Sequence, residues 1–400
     1  MTRSAGHFEE FKPHSKHKHL ILEHYFKAWS HKLGLREGAG REILYVDACA
    51  GRGADDVGND GSPLIAARAA AAAQENVAGR RGESFRIHVM AIEANRNHFA
   101  ALAETLAPFS PSTQALPGSL DEHLPELERR FAGAPSLYFF DPFGLEPLPA
   151  SSVRRALQGD RHEALILFAD LGALRHFGAL AAHETQAERK LRAAERAPWL
   201  FTEMEAETLA TLEQAAIESR EGLEMTREAA DRILNSAFGD PDWMVEIAST
   251  PKADRRATFL RLYSDRLRTW GATLVLPIPI VDASGSHVYT LVHASKHARA
   301  YVAMKDAVTY ALKNSPLPTD VVSRMRAMVK SSIDDVEAKV LQQFASKPVR
   351  WSTDKDDRLA PNVRDFVLEE TGAFPFELDA LKDRLSRFKS PGRTIVYSFP

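Results

Sequence analysis

The chain has 400 residues, of which 44% are hydrophobic and 26% charged, and its formal net charge at pH 7 is −3. This composition excludes global disorder, and the length predicts two or three domains. The single cysteine excludes a disulfide framework and a cysteine-cluster metal site, and we expect no metal. We expect a cytoplasmic protein, because no apolar run could span a membrane and residues 1–18 lack the apolar core of a signal peptide.

The N-terminal residues 7–19 (HFEEFKPHSKHKH) are polar and rich in histidine and lysine. A solvated arm is the simplest interpretation, and an arm that contacts phosphates or covers a cofactor is the alternative. After this segment, four apolar residues recur at the spacing of a helix: Leu20, Ile21, Tyr25 and Trp29. We therefore expect residues 1–40 to form an arm and a helix.

Residues 41–314 alternate short apolar runs with helical patterns. The strand candidates lie at residues 43–46, 87–92, 113–116, 136–140, 164–168, 273–280 and 287–292. The helix candidates between them lie at residues 63–74, 98–106, 121–131 and 151–157. This alternation predicts an α/β, Rossmann-like sheet that is mostly parallel and covered by helices. The turn at residues 282–286 predicts an antiparallel hairpin at the end of the sheet.

Two further regions are predicted to be mainly helical. Residues 178–255 are rich in alanine and glutamate and are expected to form a helical insertion. Residues 315–400 contain four helical patterns and a strand pattern at 393–399, which fit either a winged helix or a small helical cap domain. Basic residues near the end could contact phosphates or form a solvated face; they are Lys382, Arg384, Arg387, Lys389 and Arg393.

The densest chemical signal is YVDACAGRG at residues 45–53. A predicted strand ends in Asp47, and Gly51 and Gly53 follow, so the backbone can approach a ligand closely. Ligands in open α/β sheets bind at such strand ends. The following loop carries Asp55, Asp56 and Asp60, which would repel a dinucleotide's phosphates. A ligand with a positive centre, such as the sulfonium of S-adenosylmethionine, fits better, although an ordinary glycine turn with solvated acids is the simpler alternative.

Later strands also end in polar residues. The second strand ends in Glu93, whose carboxylate could accept hydrogen bonds from both ribose hydroxyls or cap the next helix. After the third strand, Ser119 or Asp121 could cap a helix or reach an adenine amino group.

The fourth strand leads directly into FDPFG, residues 140–144. Proline fixes the backbone, so Asp141 and the Pro142 carbonyl would present two acceptors to an exocyclic amine. Phe143 could stack on a flat ring, as aromatic side chains do on unstacked bases. An ordinary strand-to-turn Asp-Pro is the alternative.

YVDACAGRG, Glu93 and FFDPFG resemble the motifs of Rossmann-like S-adenosylmethionine-dependent methyltransferases, and the Asp-Pro-Phe-Gly loop is similar to that of enzymes acting on exocyclic base nitrogens. Over residues 15–310 the chain also resembles the three-Cys-motif partner protein family (TcmP). That likeness rests on KHKHLILEHYFKAW, VDACAGRG with GSPLIAA, FFDPFG, and HVYTLVHASKHARAYVAMKDA. Two positions depart from the usual motif: Cys49, and Arg52, which would place a cation near a sulfonium unless it points outward.

The resemblance implies a set of site residues and partners. The cofactor-binding residues would be Asp47, Ala48, Gly51, Gly53, Glu93, Ser119 and Leu120. The catalytic residues would be Asp141, Pro142 and Phe143. The implied function is methyl transfer from S-adenosylmethionine to a nitrogen, with an exocyclic amine of a DNA or RNA base as the first candidate. The alternative is a non-catalytic adaptor for a three-Cys-motif protein similar to radical S-adenosylmethionine proteins.

Overall fold

The structure is a computed structural model that describes residues 10–37, 42–81, 85–142, 148–180, 226–239, 241–345, 348–351, 362–388 and 396–398. Seven strands form one sheet: β1 (Glu42–Asp47), β2 (Arg86–Glu93), β3 (Thr113–Pro117), β4 (Ser136–Phe140), β5 (His162–Phe168), β6 (Leu274–Val281) and β7 (His287–Ser295).

The strand order is β3-β2-β1-β4-β5-β7-β6. Strand β1 pairs in parallel with β2 and β4, whereas β6 and β7 form an antiparallel hairpin. The predicted α/β class, the mostly parallel sheet and its terminal hairpin are therefore confirmed. The first five strands follow the order of doubly wound nucleotide-binding sheets, in which ligands bind beyond the carboxyl ends where the order reverses. Here that point lies between β1 and β4.

Helices accompany these strands, and the three predicted at residues 98–106, 121–131 and 151–157 begin and end within two residues of the observed bounds, whereas the helix predicted at 63–74 extends to Arg81. The helices are α1 (Pro13–Glu37), α2 (Ser62–Arg81), α3 (Arg96–Leu106), α4 (Leu120–Arg130), α5 (Ala150–Ala156) and α6 (Asp170–Leu180). After them come α7 (residues 226–238), α8 (Trp243–Ser249), α9 (Arg255–Thr269) and α10 (Ala298–Lys313). None of the helices in these described ranges is long and apolar enough to cross a membrane.

Helix α1 begins earlier than its apolar pattern predicts. Pro13 occupies the first helical position, where proline is favoured, and the histidine- and lysine-rich residues that follow are helical. The expectation of a solvated arm is wrong for residues 13–19. The reason is that polar side chains on this turn have buried partners: His17 Nδ1 lies 2.9 Å from Ser315 Oγ, and Lys18 donates to Asp141. Both side chains are almost fully buried.

A buried polar cluster holds α1 against the sheet. Tyr25 Oη and Trp29 Nε1 both donate to the carboxylate of Glu163 on β5, the latter at 3.2 Å. His293 Nε2, on β7, lies 3.2 Å from the same carboxylate. A buried carboxylate is tolerated only when hydrogen bonds compensate its desolvation, and these contacts provide that compensation. The Glu163 cluster therefore fixes α1 across two strands.

The chain divides into two compact units. The first contains Met1–Asp141, Arg154–Leu167 and Leu267–Pro400, and the second contains Pro142–Val153 and Phe168–Arg266. Helix α1, most of the sheet and the C-terminal helices thus belong to the first unit. The expected boundaries near residues 40 and 314 do not separate these units, and a finer division of the first unit stays a prediction.

In the second unit, the described residues of the expected insertion form helices α7 and α8 and the end of α6; residues 181–225 lie outside the described ranges. Its core is aromatic. Trp243 is buried against Phe238 and Phe259, with ring centroids 5.7 and 5.9 Å away. Trp243 Nε1 also donates to Asn235 Oδ1 at 3.1 Å, which satisfies its polar atom.

The C-terminal part contains α11 (Thr319–Val329), α12 (Ile333–Gln343), α13 (Val363–Glu370) and α14 (Leu378–Leu385), with β8 (Pro348–Arg350) pairing antiparallel to β9 (Val396–Ser398). Lys305, on α10, connects that helix to α13 of the C-terminal part. Its buried ammonium donates to the carbonyls of Leu368 and Thr371, at 2.8 and 2.6 Å, at the end of α13. Cations are favoured at helix C-termini.

Two of the basic residues near the end of the chain are held inside the C-terminal part. Arg384 and Arg387 both donate to Glu337, whose side chain is only 6% exposed, and Arg384 also pairs with Asp334. Their charges are therefore largely offset by acidic neighbours. Lys389 and Arg393 lie outside the described residues.

We predict that the double variant Arg384→Glu, Arg387→Glu lowers the free energy of unfolding, because Glu337 would lose both arginine partners and lie beside new carboxylates. Urea denaturation followed by circular dichroism measures this. Lys382→Glu, on the same helix, is the matched control and should stay within about 0.5 kcal/mol of the parent. Equal stability of all three proteins would contradict the role given to Glu337.

Candidate functional site

Three carboxylates meet at the carboxyl edge of the sheet. Asp47 ends β1, Glu93 ends β2 and Asp141 directly follows β4. Because β1 lies between β2 and β4, their ends are neighbours, with Asp47 level with Ala91 and Phe139. Burial raises the pKa of the Cys49 thiol, and the charges of all three carboxylates contribute to the rise. All three carboxylates therefore lie near this thiol. The structure thus brings together the three acids that the sequence predicted.

The glycine bend runs across this edge. Gly51 and Gly53 have φ angles of 65° and 88°, a region that favours glycine. Gly51 N donates to Glu93 Oε2 at 2.8 Å, so the bend lies directly against the end of β2. Ala48 N donates to Phe139 O at 2.9 Å, which ties the start of the bend to β4.

Glu93 keeps capacity for a ligand. Besides Gly51, its carboxylate accepts a hydrogen bond from Asn95 N at 2.7 Å, one donor to each oxygen. A carboxylate oxygen can accept two hydrogen bonds, so each has room for one more. The Glu93 side chain is 12% exposed, which leaves it reachable from solvent.

Arg52 points away from the edge. Its Nη1 donates to Asp56 Oδ1 at 2.8 Å, and both side chains are partly exposed. The cation that the sequence placed near a sulfonium is therefore directed outward, into the loop.

The other two loop acids also have partners within the chain. Asp55 accepts hydrogen bonds from Asn59 and from Phe11 N, and Asp60 pairs with Arg68 at 2.8 Å. Asp56 and Asp60 are thus paired with cations, whereas Asp55 keeps its charge, so the loop is less negative than its three acids imply. That the loop acids repel phosphates stays a prediction, and Asp47, Glu93 and Asp141 are the acids at the strand ends.

Asp47 is completely buried. Burial and the neighbouring Asp141 carboxylate together raise its pKa to about 7, against the opposing effects of hydrogen bonds from Ser62 and the Cys49 backbone and of Lys18. The Tyr45 hydroxyl donates to its Oδ2 at 3.4 Å, whereas its Oδ1 has no hydrogen-bond partner among the described residues. Ser62, the first residue of α2, is therefore a partner of Asp47.

Asp141 is paired with a residue that sequence reasoning missed as a site residue. Lys18 Nζ, on α1, donates to Asp141 Oδ2, and the two side chains are 7% and 19% exposed. Lys18 Nζ also lies 5.9 Å from the centroid of the Phe139 ring. The only sequence signal was its place in the KHKH run. The pair occupies one oxygen of Asp141 and adds a cation to the edge.

Tyr289, on β7, is a second residue that the sequence did not single out. Burial raises its pKa well above the usual value, and the charge of Asp141 raises it further, so Tyr289 lies in the neighbourhood of the same carboxylate. That hydroxyl is buried and has no hydrogen-bond partner among the described residues.

The remaining expected site residues have mixed outcomes. Ser119 is the N-cap of α4, and its Oγ donates to Glu122 Oε1 at 2.9 Å. Of the two roles expected for this residue, the structure therefore shows the helix cap. Leu120 is buried at the first helical position. Pro142 is buried and begins the second unit, whereas Phe143 lies outside the described residues, so its stacking role stays a prediction.

A cleft of about 780 Å³ lies elsewhere, along α1 and α2. Its lining includes Leu20, Lys27, Ile65 and Arg68 but none of Asp47, Glu93 or Asp141. We place the site at the strand edge because three carboxylates and the glycine bend converge there, at the position where open α/β sheets bind ligands.

Comparison with models of known protein families and with curated proteins finds no match for this sequence. The resemblance to TcmP proteins therefore stays an expectation drawn from motifs, and function has to be argued from the site.

We predict that Asp47→Asn stabilises the free protein at pH 8 relative to the parent. Folding raises the pKa of Asp47 from 3.8 to about 7, so the folded parent is most stable below pH 4, where this carboxyl is protonated in both states. As pH rises through 7, the free energy of unfolding of the parent falls by up to about 4 kcal/mol. Urea denaturation at pH 5 and pH 8 measures the change, and the gain of the variant should be larger at pH 8. Asp56→Asn is the exposed control. The same difference at both pH values would contradict the prediction.

Proposed function

We propose that the chain is an S-adenosylmethionine-dependent methyltransferase whose acceptor is a nitrogen, with the exocyclic amine of a nucleobase as the substrate class. The observation that carries the proposal is the convergence of Asp47, Glu93 and Asp141 beside the glycine bend, at the point where the strand order reverses. Open α/β sheets bind ligands at this point.

The residues present fit the methyl donor. Glu93 has one free acceptor position on each oxygen for the two ribose hydroxyls, and Gly51 lets a ligand approach the backbone. Three carboxylates face one ammonium, Lys18, so a ligand with a positive centre is attracted. S-adenosylmethionine supplies an electrophilic methyl group on a sulfonium.

The acceptor amine would be held by Asp141 together with the Pro142 carbonyl. Asp141 has one oxygen bonded to Lys18, and its second oxygen can accept an N–H from the substrate. Methyl transfer to a neutral amine needs correct positioning and removal of one proton, and holding the reactants together supplies most of the rate. Phe143 would stack on the base, and a target inside a duplex would first be flipped out.

An adaptor for a three-Cys-motif protein is the alternative. Its sequence support was Arg52 and the acidic loop, and both are explained by contacts within the loop. The alternative therefore loses its specific support. Absence of S-adenosylmethionine and S-adenosylhomocysteine binding at millimolar ligand, measured by calorimetry, would restore it.

We also propose that the C-terminal part is a winged helix. Support comes from the element order, two helices, β8, two helices and β9, with the two strands paired antiparallel. Since Arg384 and Arg387 are bonded to Glu337, contacts to phosphates would have to use other cations.

We predict that affinity for S-adenosylmethionine rises with pH up to about 7, by at most tenfold per pH unit. A bound cation favours ionised Asp47, so binding below pH 7 releases a proton from this carboxyl. Calorimetry in two buffers of different ionisation enthalpy counts the released protons. Asp47→Asn should remove the pH dependence, and a variant with the same dependence as the parent would contradict the assignment.

We predict that Asp141→Ala lowers methyl transfer at least a hundredfold while cofactor affinity changes less than threefold. The carboxylate orients the acceptor, and Asp47 and Glu93 remain to hold the donor, so the loss falls mainly on transfer. Transfer of labelled methyl groups to DNA and RNA measures the first quantity and calorimetry the second. Asp56→Ala is the matched acidic control, and unchanged turnover in Asp141→Ala would reject the role of Asp141.

A further inference from the structure

Lys18 carries hydrogen-bond donors that the described residues do not use. An ammonium has three N–H donors, and the side chain is only 7% exposed. It has one oxygen partner, Asp141 Oδ2, and otherwise lies near the face of Phe139. A buried ammonium is costly unless its donors are bonded, and two of its donors have no acceptor among the described residues.

Two other buried polar atoms in the neighbourhood of Asp141 also have no hydrogen-bond partner in the described part of the chain. They are the hydroxyl of Tyr289 and Oδ1 of Asp47, on residues that are 8% and 0% exposed. Both residues interact electrostatically with Asp141, so they lie around the same carboxylate as Lys18. Buried polar groups in native proteins are nearly always hydrogen-bonded, and a cluster of exceptions indicates a ligand.

Lys18 is also held in place. Tyr25 and Trp29 follow it by seven and eleven residues, which puts all three on one face of α1. The Glu163 cluster fixes that face on the sheet, and Ile21, Leu22 and Phe26 are completely buried. Lys18 is therefore a fixed part of the site, and it is not the tip of a movable arm.

We propose that Lys18, Tyr289 and Asp47 form a subsite for an α-amino-acid group, a role that rests on the function proposed above. Lys18 and the Tyr289 hydroxyl donate to the α-carboxylate, and Asp47 Oδ1 accepts from the α-ammonium. The charges match, because the Lys18 ammonium faces the α-carboxylate and the Asp47 carboxylate faces the α-ammonium. The methionine end of S-adenosylmethionine is such a group.

The test compares two ligands in calorimetry on the full chain without any methyl acceptor. S-adenosylhomocysteine carries the amino-acid group, and 5′-methylthioadenosine has the same adenosine and sulfur without it. In Lys18→Met we expect about 10- to 100-fold weaker binding of S-adenosylhomocysteine, the range for a charge-assisted hydrogen bond. Binding of 5′-methylthioadenosine should change less than threefold.

Lys27→Met is the matched control, because Lys27 lies on the same helix and its exposed side chain pairs only with Glu23. Tyr289→Phe serves if Lys18→Met fails to fold by circular dichroism. It removes one unpartnered hydroxyl and should weaken S-adenosylhomocysteine about 3- to 10-fold, with no effect on 5′-methylthioadenosine.

Four outcomes overturn the subsite. They are unchanged binding of S-adenosylhomocysteine to Lys18→Met, equal losses for both ligands, tighter binding to Lys18→Met, and, where only Tyr289→Phe folds, no selective loss in that variant. Failure of the unmodified protein to bind either ligand would instead reject the proposed methyltransferase function, which keeps the two failures distinct.

Discussion

The burial of Asp47 at the centre of the sheet is the constraint on which the site depends. A carboxyl at 0% exposure, beside the carboxylate of Asp141, is costly to ionise, and the hydrogen bonds from Ser62, Tyr45 and the Cys49 backbone do not remove that cost. Lys18 offsets part of the charge through Asp141, and it can do so only because α1 is fixed by the Glu163 cluster. The contacts that hold α1 in place thus also shape the electrostatics of the strand edge.

Such an arrangement is poor for the stability of the free protein. Hydrogen-bonded or apolar residues at positions 47 and 289 would cost less than a buried carboxyl and an unpartnered hydroxyl. Local departures of this kind are expected at functional sites, where stability is given up for binding. The paired acids of the loop, Asp55, Asp56 and Asp60, show the contrast, because each has a partner within the chain.

Much of the fold could be predicted because its signals are local. Continuous apolar runs predicted the strands, the turn at residues 282–286 predicted the hairpin, and strand ends placed Asp47, Glu93 and Asp141 at one edge. Lys18 and Tyr289 could not be found in this way, because Asp141, which pairs with Lys18 and lies in the neighbourhood of Tyr289, is more than a hundred residues away from both in the chain. The start of α1 was missed for the same reason, since its polar first turns are stabilised by distant partners and have no apolar period.

The location of the charge also bears on which nucleotide ligand fits the edge. The sequence argument against a dinucleotide relied on the loop acids, of which Asp56 and Asp60 are paired with Arg52 and Arg68, whereas Asp55 is hydrogen-bonded to neutral donors and keeps its charge. The argument survives in another form, because the carboxylates of Asp47, Glu93 and Asp141 act together at Cys49 and outnumber Lys18. A pyrophosphate placed there would meet a net negative edge, whereas a sulfonium with an α-amino-acid group presents a positive centre to the carboxylates and a carboxylate to the one ammonium. The same edge that is unfavourable in the free protein is therefore complementary to a ligand of mixed charge.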